Sequence, residues 1–577
     1  MARHCIPCLV LLMLVLASAT CVSAERYDLL ITHGHIIDGT GSPWYAGDVA
    51  IKAGRIAAIG TLPGASAQRT IDAHGMVVAP GFIDMLGQSE LTMLVDPRLP
   101  SKIFQGITTE ITGEGESVAP LDNAMIRERQ RDYDHYGIKA DWRTLEQYFA
   151  RLHAQGLGIN LGTYIGATSI REMVIGYGNR APTPEELKRM QALVASGMQD
   201  GALGLSTALE YAPAPYATTG ELIALAQVAA QYGGIYATHM RSEGDAETAA
   251  LEEAFRISTE AHIPLEIFHL KISGHDNWGH ADQLIARIDA ARARGIDVAA
   301  DTYAYTAWEN DFSAFVPPWA HDGGTPALLA RLKDPSARAR IRKDMLTPSR
   351  EWDNEWLEIK GPQDVLITAV RNKELLKYEG KRLSQIAADW HTDPIDALCD
   401  FLLQDAAGTQ VAVFGMAEPD VQLILRQPWV AIDNDASGTS PEGILGTERP
   451  HPRAYGTFPR ILRRFVHDEH QLTLTDAIRK FSALAAQREH LADRGVLKQG
   501  MWADVVVFDP DAVRDAATYE EPNRLSVGMQ YVLVNGVPVI DQGRMTGARP
   551  GHILYGPGLR TAQPAQRGTS AATHRSS

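Results

Sequence analysis

Two histidines thirty residues apart have the residue type and spacing of metal ligands. His239 ends the apolar stretch Ile235–His239, and His269 ends the stretch Leu265–His269. One strand–helix–strand unit takes about thirty residues, so the two imidazoles should lie side by side on neighbouring parallel strands. A single histidine is more often an ordinary packing residue, but matching positions on consecutive strands favour a shared divalent metal ion.

A third ligand is expected from the stretch Ile107–Gly113, which is followed directly by Glu114. Glu116 and Glu110 are alternatives, because strand alternation and a possible bulge at Gly115 leave the choice open. We predict a divalent metal ion held by the two histidines, with Glu114 the best placed carboxylate for the third ligand.

A carboxylate that could move a proton ends another strand-like stretch, Val430–Asp435. Asp435 could simply cap a helix. Beside a metal, however, it is better suited to take a proton from the attacking water and to act as general acid/base. Asp433 is the nearby alternative.

These residues need a scaffold that brings the ends of separate strands together. Apolar strand-like runs alternate with amphipathic stretches, which predicts a parallel βα architecture. Eight strand candidates are present: Val77–Asp84, Ile107–Gly113, Ile159–Ile165, Leu203–Thr207, Ile235–His239, Leu265–His269, Val298–Tyr303 and Val430–Asp435. Eight strands close a TIM barrel, whose carboxyl-end rim carries the catalytic residues.

The two ends of the chain are instead rich in short strands with glycine turns. We therefore predict an α/β fold: a TIM (β/α)8 barrel over residues 80–490 and a small β-sandwich built from residues 25–79 and 491–557. The connection before the eighth barrel strand is far longer than a usual βα loop. It predicts an inserted lid-like subdomain at about residues 308–425 that covers the site.

Residues 1–24 have the pattern of a secretory signal peptide, with a basic start, an apolar run Ile6–Ala17 and a small-residue cleavage site at Val22–Ala24. The segment before Cys21 fits a lipoprotein site poorly. We expect an exported, periplasmic or secreted protein without membrane insertion after cleavage, because no later run approaches the roughly 20 apolar residues that spanning needs. Residues 558–577, rich in Thr, Ala, Gln and Ser, are expected to be a disordered tail.

Cysteines and charge exclude several classes of function. Three of the four cysteines, Cys5, Cys8 and Cys21, lie in the predicted signal peptide, which leaves Cys399 alone and excludes an intramolecular disulfide or a thiolate cluster. The net charge of −16 repels phosphate backbones, so no nucleic-acid partner is expected. The expected partner is a small molecule.

Several segments together resemble the N-acyl-D-amino-acid deacylases, the D-aminoacylase branch of the amidohydrolase superfamily, from about Tyr27 to Gly558. They are Ala79–Asp84, Gly201–Ser206, Tyr236–Glu243, His269–Lys271, His451–Pro459 and Gly500–Asp504. The resemblance implies a β-sandwich and TIM barrel with zinc on the rim, hydrolysing the amide between an acyl group and a D-amino acid. By matching positions, His239 and His269 would be metal ligands and Asp435 the general acid/base. Lys271, Tyr303 and Arg453 would hold the substrate carboxylate.

The chain departs from this family at two ligand positions. Where the family has a His-x-His pair after the first barrel strand, this chain has Leu86-Gly87-Gln88, and the metal-binding cysteine of the second strand is replaced within Gly113–Glu116. One of the two metal positions is therefore predicted to be lost. N-acetylglucosamine-6-phosphate deacetylases can also lack the histidine pair, and they work with one metal held by a glutamate and two histidines.

The predicted function is metal-dependent hydrolysis of N-acyl amino acids, with N-acyl-D-amino acids the expected substrates. A free substrate carboxylate would be bound by Arg453 with the help of Lys271, since both follow rim positions and a guanidinium grips a carboxylate with two parallel hydrogen bonds. One alternative is a hydrolase of another carbonyl bond, such as a dipeptide or lactone. The other is a metal-free binding protein derived from an amidohydrolase.

Overall fold

The computed structural model describes residues 26–559. The predicted signal peptide at residues 1–24, with Cys5, Cys8 and Cys21, lies outside the described residues, and so do residues 560–577 of the predicted tail. Within residues 26–559, no helix combines the length and apolar character needed to cross a membrane. Cys399 is buried and forms no disulfide with any residue in this described range.

Eight short parallel strands form the barrel. Barrel strands 1 to 8 are Phe82–Asp84, Ile107–Thr112, Asn160–Thr163, Gly204–Ala208, Ile235–His239, Leu265–Ile267, Val298–Thr302 and Val430–Ile432. Continuous pairing joins strands 1 to 3 and strands 4 to 8, and the short strand Ile165–Gly166 pairs with strand 4. Two backbone hydrogen bonds close the circle, from Leu203 to Thr163 at 2.9 Å and from Met85 to Ile432 at 3.2 Å. The predicted TIM barrel is confirmed.

Several barrel strands are shorter than the sequence predicts. The first candidate, Val77–Asp84, splits: Val77–Pro80 joins the β domain and only Phe82–Asp84 enters the barrel. The last pairs of strands 6 and 8 end at Ile267 and Ile432. Just beyond these ends, His269 and Asp435 have positive φ angles of 36° and 45°. This left-handed backbone does not continue a β-strand.

Both ends of the chain build one nine-stranded sheet, and the predicted β domain is confirmed. Its strands are Arg26–Ile36, Tyr45–Lys52, Arg55–Gly60, Ser66–Asp72, Val77–Pro80, Val505–Phe508, Met529–Val534, Val537–Asp541 and Arg544–Met545. Val77–Pro80 joins the strands from the two ends of the chain. It pairs parallel with Arg26–Ile36 and antiparallel with Val505–Phe508. Alternate residues such as Leu29, Ile31, Val505 and Val507 form the core of this domain, as expected when one sheet face is covered.

The helices around the barrel are amphipathic. Pro184–Asp200, for example, starts with a capping box between Thr183 and Glu186 and buries Met190 and Val194. The α-helices outside the insert are Thr92–Val95, Pro100–Ile103, Asn123–Glu128, Gln130–Tyr136, Leu145–Gln155, Ala167–Ile175, Pro184–Asp200, Thr219–Gln231, Glu247–Ala261, Ala281–Ala293, Glu418–Leu425, Arg453–Arg460, Leu474–Phe481 and Ala483–Arg488, with a π-helix at Ile461–Asp468. Single 3₁₀ turns lie at Ala214–Tyr216, His275–Asn277 and Leu445–Thr447.

The long connection before strand 8 has its own small antiparallel sheet of three strands, Trp308–Asp311, Val365–Ala369 and Gln410–Val413. Its α-helices are Thr325–Lys333, Pro335–Met345, Glu355–Glu358, Leu383–Trp390 and Pro394–Gln404, and its 3₁₀ turns are Phe312–Phe315, Pro318–His321, Pro362–Asp364 and Lys373–Tyr378. The next helix, Glu418–Leu425, packs against the barrel helix Ala281–Ala293. It therefore serves as a barrel helix, although the predicted insert ran to about residue 425.

Candidate active site

A cavity of about 380 Å³ lies at the carboxyl end of the barrel strands. Its walls come from the loops after barrel strands 1, 2, 4, 5, 6 and 8, from the helix after strand 3 and from the inserted segment, which contributes Trp308, Glu309 and Glu355 among others. The cavity is thus placed where TIM-barrel enzymes carry their active sites, and the insert forms part of its wall.

Glu114, His239 and His269 meet at the base of this cavity. Glu114 Oε1 lies 2.8 Å from His269 Nε2 and 3.1 Å from His239 Nδ1, and the two nitrogens are 3.1 Å apart. Ligand atoms about 2.0–2.1 Å from a tetrahedral zinc ion lie roughly 3.3 Å from one another. One carboxylate and two imidazoles at such separations therefore fit a divalent metal, and the ligand types are those that zinc accepts.

The two alternative glutamates lie elsewhere. Glu116 is half-exposed, with Oε2 3.1 Å from the guanidinium of Arg129. Glu110 is fully buried beside Lys102, with Nζ 3.2 Å from Oε1, and it also accepts a hydrogen bond from Ser89. Only Glu114 of the three candidates reaches both histidines, so the geometry favours it as the third ligand.

Outer carboxylates orient the two histidine rings. Glu210 Oε2 lies 2.9 Å from His239 Nε2, whereas His269 Nδ1 has the Lys271 ammonium at 2.7 Å and Glu243 Oε1 at 3.1 Å. Such partners surround the ring nitrogens that the metal does not use and so orient the rings. Burial opposes a charge on His239, but Glu243, Glu114 and Glu210 outweigh it and raise the pKa of His239 well above its usual value.

Gln88 occupies the space between two carboxylates of the site. Its side-chain amide nitrogen donates to Glu114 Oε2 at 2.9 Å and to Asp435 Oδ1 at 3.0 Å. An amide nitrogen has two hydrogens, so both bonds are made at once. The residue that replaces a family histidine is therefore a neutral bridge between the candidate ligand and the candidate acid/base.

Of the two candidate bases, Asp435 lines the cavity, whereas Asp433 is fully buried and does not line it. Burial raises the pKa of Asp435, although Arg453 and His269 oppose this shift. Burial likewise raises the pKa of Asp433 to about 7. Because a base must reach the proton that it takes, the geometry favours Asp435.

Of the three residues expected to hold the substrate carboxylate, one lines the cavity and two do not. Lys271 lines the cavity, but its ammonium lies 2.6 Å from Glu243 Oε2. Arg453 is buried, with Nη1 2.8 Å from Asp435 Oδ2 and its guanidinium 4.7 Å from the ring centre of Tyr303. Arg453 and Tyr303 are not among the residues that line the cavity. The Arg453 Nε and the Tyr303 hydroxyl nevertheless have no hydrogen-bond partner among the described residues.

Sequence reasoning did not find several residues of the site. Glu210 and Glu243 follow strands 4 and 5, so the rule that polar residues after barrel strands form the rim could have identified them. Gln88 was noted only as a missing histidine. The acidic residues of the insert, Asp353 and Glu355 among them, come from a segment without strand periodicity, and no signal in the sequence links them to the rim.

Comparison with known proteins gives concordant matches over most of the chain. The profile of the amidohydrolase family matches residues 69–540. The chain is 35% identical over 532 residues to D-aminoacylase of Alcaligenes xylosoxydans xylosoxydans, covering 92% of this chain and 98% of that protein. It is similar to the crystal structure of N-acyl-D-glutamate deacylase from Bordetella bronchiseptica complexed with zinc and a phosphonate inhibitor (34% identity, TM-score 0.76, 92% and 100% coverage). A D-aminoacylase structure concerned with a binuclear metal centre has 32% identity, TM-score 0.76 and the same coverage.

Proposed function

Because the chain belongs to the amidohydrolase family, we propose that it is a metal-dependent hydrolase that cleaves the amide bond of N-acyl-D-amino acids. The observation that carries this proposal is the convergence of Glu114, His239 and His269 at the base of a cavity that Asp435 also lines. The relatives named D-aminoacylase, N-acyl-D-glutamate deacylase and N-acyl-D-aspartate deacylase support the amide of an N-acyl-D-amino acid as the target.

Glu114, His239 and His269 would hold the metal. A bound divalent ion lowers the pKa of water from 15.7 to about 7 and polarises a carbonyl oxygen. Asp435 takes a proton from the attacking water, and in its protonated form it returns that proton to the amine nitrogen as the C–N bond breaks. Glu210 beside His239, and Glu243 with Lys271 beside His269, hold the two rings so that His239 Nδ1 and His269 Nε2 are directed at Glu114.

The expected metal content is one ion per chain, most simply zinc. Leu86 has no ligand atom, and the amide nitrogen of Gln88 already donates to Glu114 and Asp435. A glutamine coordinates cations through its amide oxygen, and here it is the amide nitrogen that faces Glu114 and Asp435. A D-aminoacylase is described as having one-metal activation and second-metal attenuation, which supports a single ion as sufficient for the chemistry.

The substrate is expected to have a free carboxylate beside the scissile amide. Arg453 Nε and the Tyr303 hydroxyl are buried donors without partners in the described chain, and they lie beside the acid/base Asp435. Buried donors left without partners are costly. A substrate carboxylate that displaces the guanidinium from Asp435 would satisfy them.

A substrate panel tests the proposal. Purified protein should hydrolyse N-acetyl-D-methionine, should lose this activity on treatment with a chelator and should regain it with zinc. N-acetyl-L-methionine is the matched control and should be a poor substrate. Retention of full activity after the metal has been removed would overturn the proposal, and so would the absence of turnover of every N-acyl-D-amino acid in metal-loaded protein.

A further inference from the structure

Asp435 lies where barrel strands 8 and 1 meet, and few backbone hydrogen bonds join these two strands. Strands 4 to 8 form one continuous ladder and strands 1 to 3 form another. Between strands 8 and 1, the Met85 N–H donates to the Ile432 carbonyl at 3.2 Å, and the Asp435 N–H donates to the Leu86 carbonyl at 2.9 Å. Asp435 also has a φ angle of 45°, a backbone conformation that residues other than glycine keep only where surrounding contacts hold them. The backbone of the candidate acid/base therefore depends on contacts beyond the strand ladders.

A fully buried ion pair lies against this segment. Asp84 is the last residue of barrel strand 1, and Lys102 lies in the helix Pro100–Ile103. Lys102 Nζ lies 2.6 Å from Asp84 Oδ2 and 3.2 Å from Glu110 Oε1, and none of these three side chains has exposed surface. Burial opposes a charge on Lys102, but Asp84 and Glu110 outweigh it and raise the pKa of Lys102. The lysine is thus an ammonium with three N–H donors at neutral pH.

The ion pair binds the peptide groups on both sides of Asp435. The Asn434 N–H donates to Asp84 Oδ1 at 2.8 Å, and Lys102 Nζ donates to the Ala436 carbonyl at 2.8 Å. Together with the two carboxylates, this carbonyl uses all three donors of the ammonium. One partner of the ion pair therefore holds the residue before the candidate acid/base, and the other partner holds the residue after it.

The helix Pro100–Ile103 is fixed to the loop that follows Asp435. The Ser101 N–H donates to the Thr439 carbonyl at 3.0 Å, and the Thr439 N–H donates to Ser101 Oγ at 2.8 Å. A helix of four residues is not stable by itself, so these reciprocal bonds determine where it lies. Lys102 therefore extends from a fixed position towards the loop that it binds.

The side chain of Asp435 has separate partners. Its Oδ1 accepts a hydrogen bond from Gln88 at 3.0 Å, and its Oδ2 lies 2.8 Å from Arg453 Nη1. The second contact would be lost when a substrate carboxylate displaces the guanidinium. Lys102 and Asp84 do not line the cavity, so a bound substrate leaves their contacts with the backbone intact.

We propose that Lys102 and Asp84 are positioning residues for the hydrolysis, which hold the backbone of Asp435 so that its carboxylate stays within reach of the attacking water when the substrate engages Arg453. They act on the reaction only through Asp435. A base must stay within hydrogen-bonding distance of the proton that it takes, and a misplacement of about 1 Å can lower the rate on the order of 10²-fold. The proposal rests on the proposed amide hydrolysis, with Asp435 as its acid/base.

Lys102→Met tests this assignment, because methionine has a similar length and no donor. Its kcat for N-acetyl-D-methionine should fall by about 10–100-fold, while the content of bound metal stays near that of the wild type. Lys480→Met is the matched control. Lys480 is also fully buried, and its ammonium donates to the carbonyls of Gln427 and Val430 at the opposite end of barrel strand 8. This control loses contacts of the same kind away from Asp435, so its kcat should stay near that of the wild type.

Asp84→Asn is a milder variant that decides the question if Lys102→Met does not fold. It keeps the shape of the side chain, but an amide has one acceptor oxygen where a carboxylate has two. Whichever way the amide turns, either the bond from Asn434 or the bond from Lys102 is lost. The kcat of Asp84→Asn should therefore fall by about threefold or more, as expected for one lost hydrogen bond. Unfolding temperatures show which variants are folded.

Double variants with Asp435→Asn separate positioning from a general loss of structure. If Lys102 acts only through Asp435, Lys102→Met should cause no further fall in kcat once residue 435 is asparagine, because the proton acceptor is already absent. Asp84→Asn should behave in the same way. A merely structural role would instead lower the residual turnover of Asp435→Asn by the same factor as it lowers that of the wild type.

Two results would overturn the proposal. The first is a kcat in folded Lys102→Met, or in folded Asp84→Asn, as high as that of Lys480→Met. The second is the same factor of loss with and without Asp435→Asn. Failure of the proposed function looks different: near wild-type turnover in Asp435→Asn alone would remove the acid/base on which both proposals depend. If Asp435→Asn loses turnover while Lys102→Met and Asp84→Asn keep it, only the positioning assignment fails.

Discussion

The side-chain amide of Gln88 donates to Glu114 Oε2 at 2.9 Å, so the residue that stands in place of a family histidine binds a candidate metal ligand by hydrogen bond. The same nitrogen reaches Asp435. Restoring both histidines, in a Leu86→His and Gln88→His double variant, should allow a second ion to bind, because two imidazoles then add ligand nitrogens where Gln88 now contacts Glu114. Elemental analysis would show this as an increase over the wild type. Two tightly bound ions in the wild-type chain would show that Gln88 in place of a histidine does not prevent the second ion from binding.

Removal of the carboxylate ligand should act on metal affinity. Glu114→Ala leaves two histidines, which hold zinc less firmly than three ligands do, so the metal content after dialysis should fall steeply. Glu116→Ala is the matched control, since Glu116 pairs with Arg129 and does not reach the histidines. A larger loss of metal in Glu116→Ala than in Glu114→Ala would move the ligand assignment to Glu116.

The role of Asp435 as acid/base predicts a separation of turnover from metal binding. Asp435→Asn keeps the shape but cannot take up a proton, so kcat should fall by about 10²–10⁴ while the metal content stays near that of the wild type. Asp433→Asn should affect kcat less, since Asp433 does not line the cavity. Near wild-type turnover in Asp435→Asn would refute the assignment.

If Arg453 binds the substrate carboxylate, KM should depend on the charge and the shape of side chain 453. Arg453→Lys keeps the charge and loses the fork of the guanidinium, so KM should already rise, and Arg453→Ala should raise it further. Arg453 also lies 2.8 Å from Asp435, so replacing it also disturbs the acid/base. The quantity to measure is therefore the preference of the enzyme for substrates with a free carboxylate over the amidated substrates. That preference should disappear in Arg453→Ala. If the native chain hydrolyses both forms equally well, it does not recognise the carboxylate through Arg453.

The sequence was sufficient to predict the residues that lie directly after buried parallel strands. His239 and His269 have a strong signal, because their strands are apolar and one βα unit apart. The exact side chain after strand 2 was left open, since the local backbone decides which glutamate reaches the histidines. In the structure, Gly113 and Gly115 have φ angles of 94° and 63°, and the chain turns Glu114 towards the two histidines and Glu116 towards Arg129. Such turns are not encoded in a periodic pattern.

Tertiary contacts determined the remainder of the site. Asp353 and Glu355 lie more than a hundred residues from Glu210 in sequence, and only the folding of the insert over the barrel brings them together. Arg453 was expected to overlook the metal from its position just beyond strand 8, whereas in the structure it is buried and does not line the cavity. That its guanidinium is paired with Asp435 depends on side-chain geometry, which neither spacing nor hydropathy predicts.

Metal titration of the metal-free protein tests the central claim most directly. With Glu114, His239 and His269 as the one ligand set, hydrolysis of N-acetyl-D-methionine should rise linearly with added zinc and reach its plateau at one equivalent per chain. His239→Ala and His269→Ala should bind no equivalent tightly and show no activation. A plateau only at two equivalents, or activity that does not depend on added metal, would contradict the single-metal account.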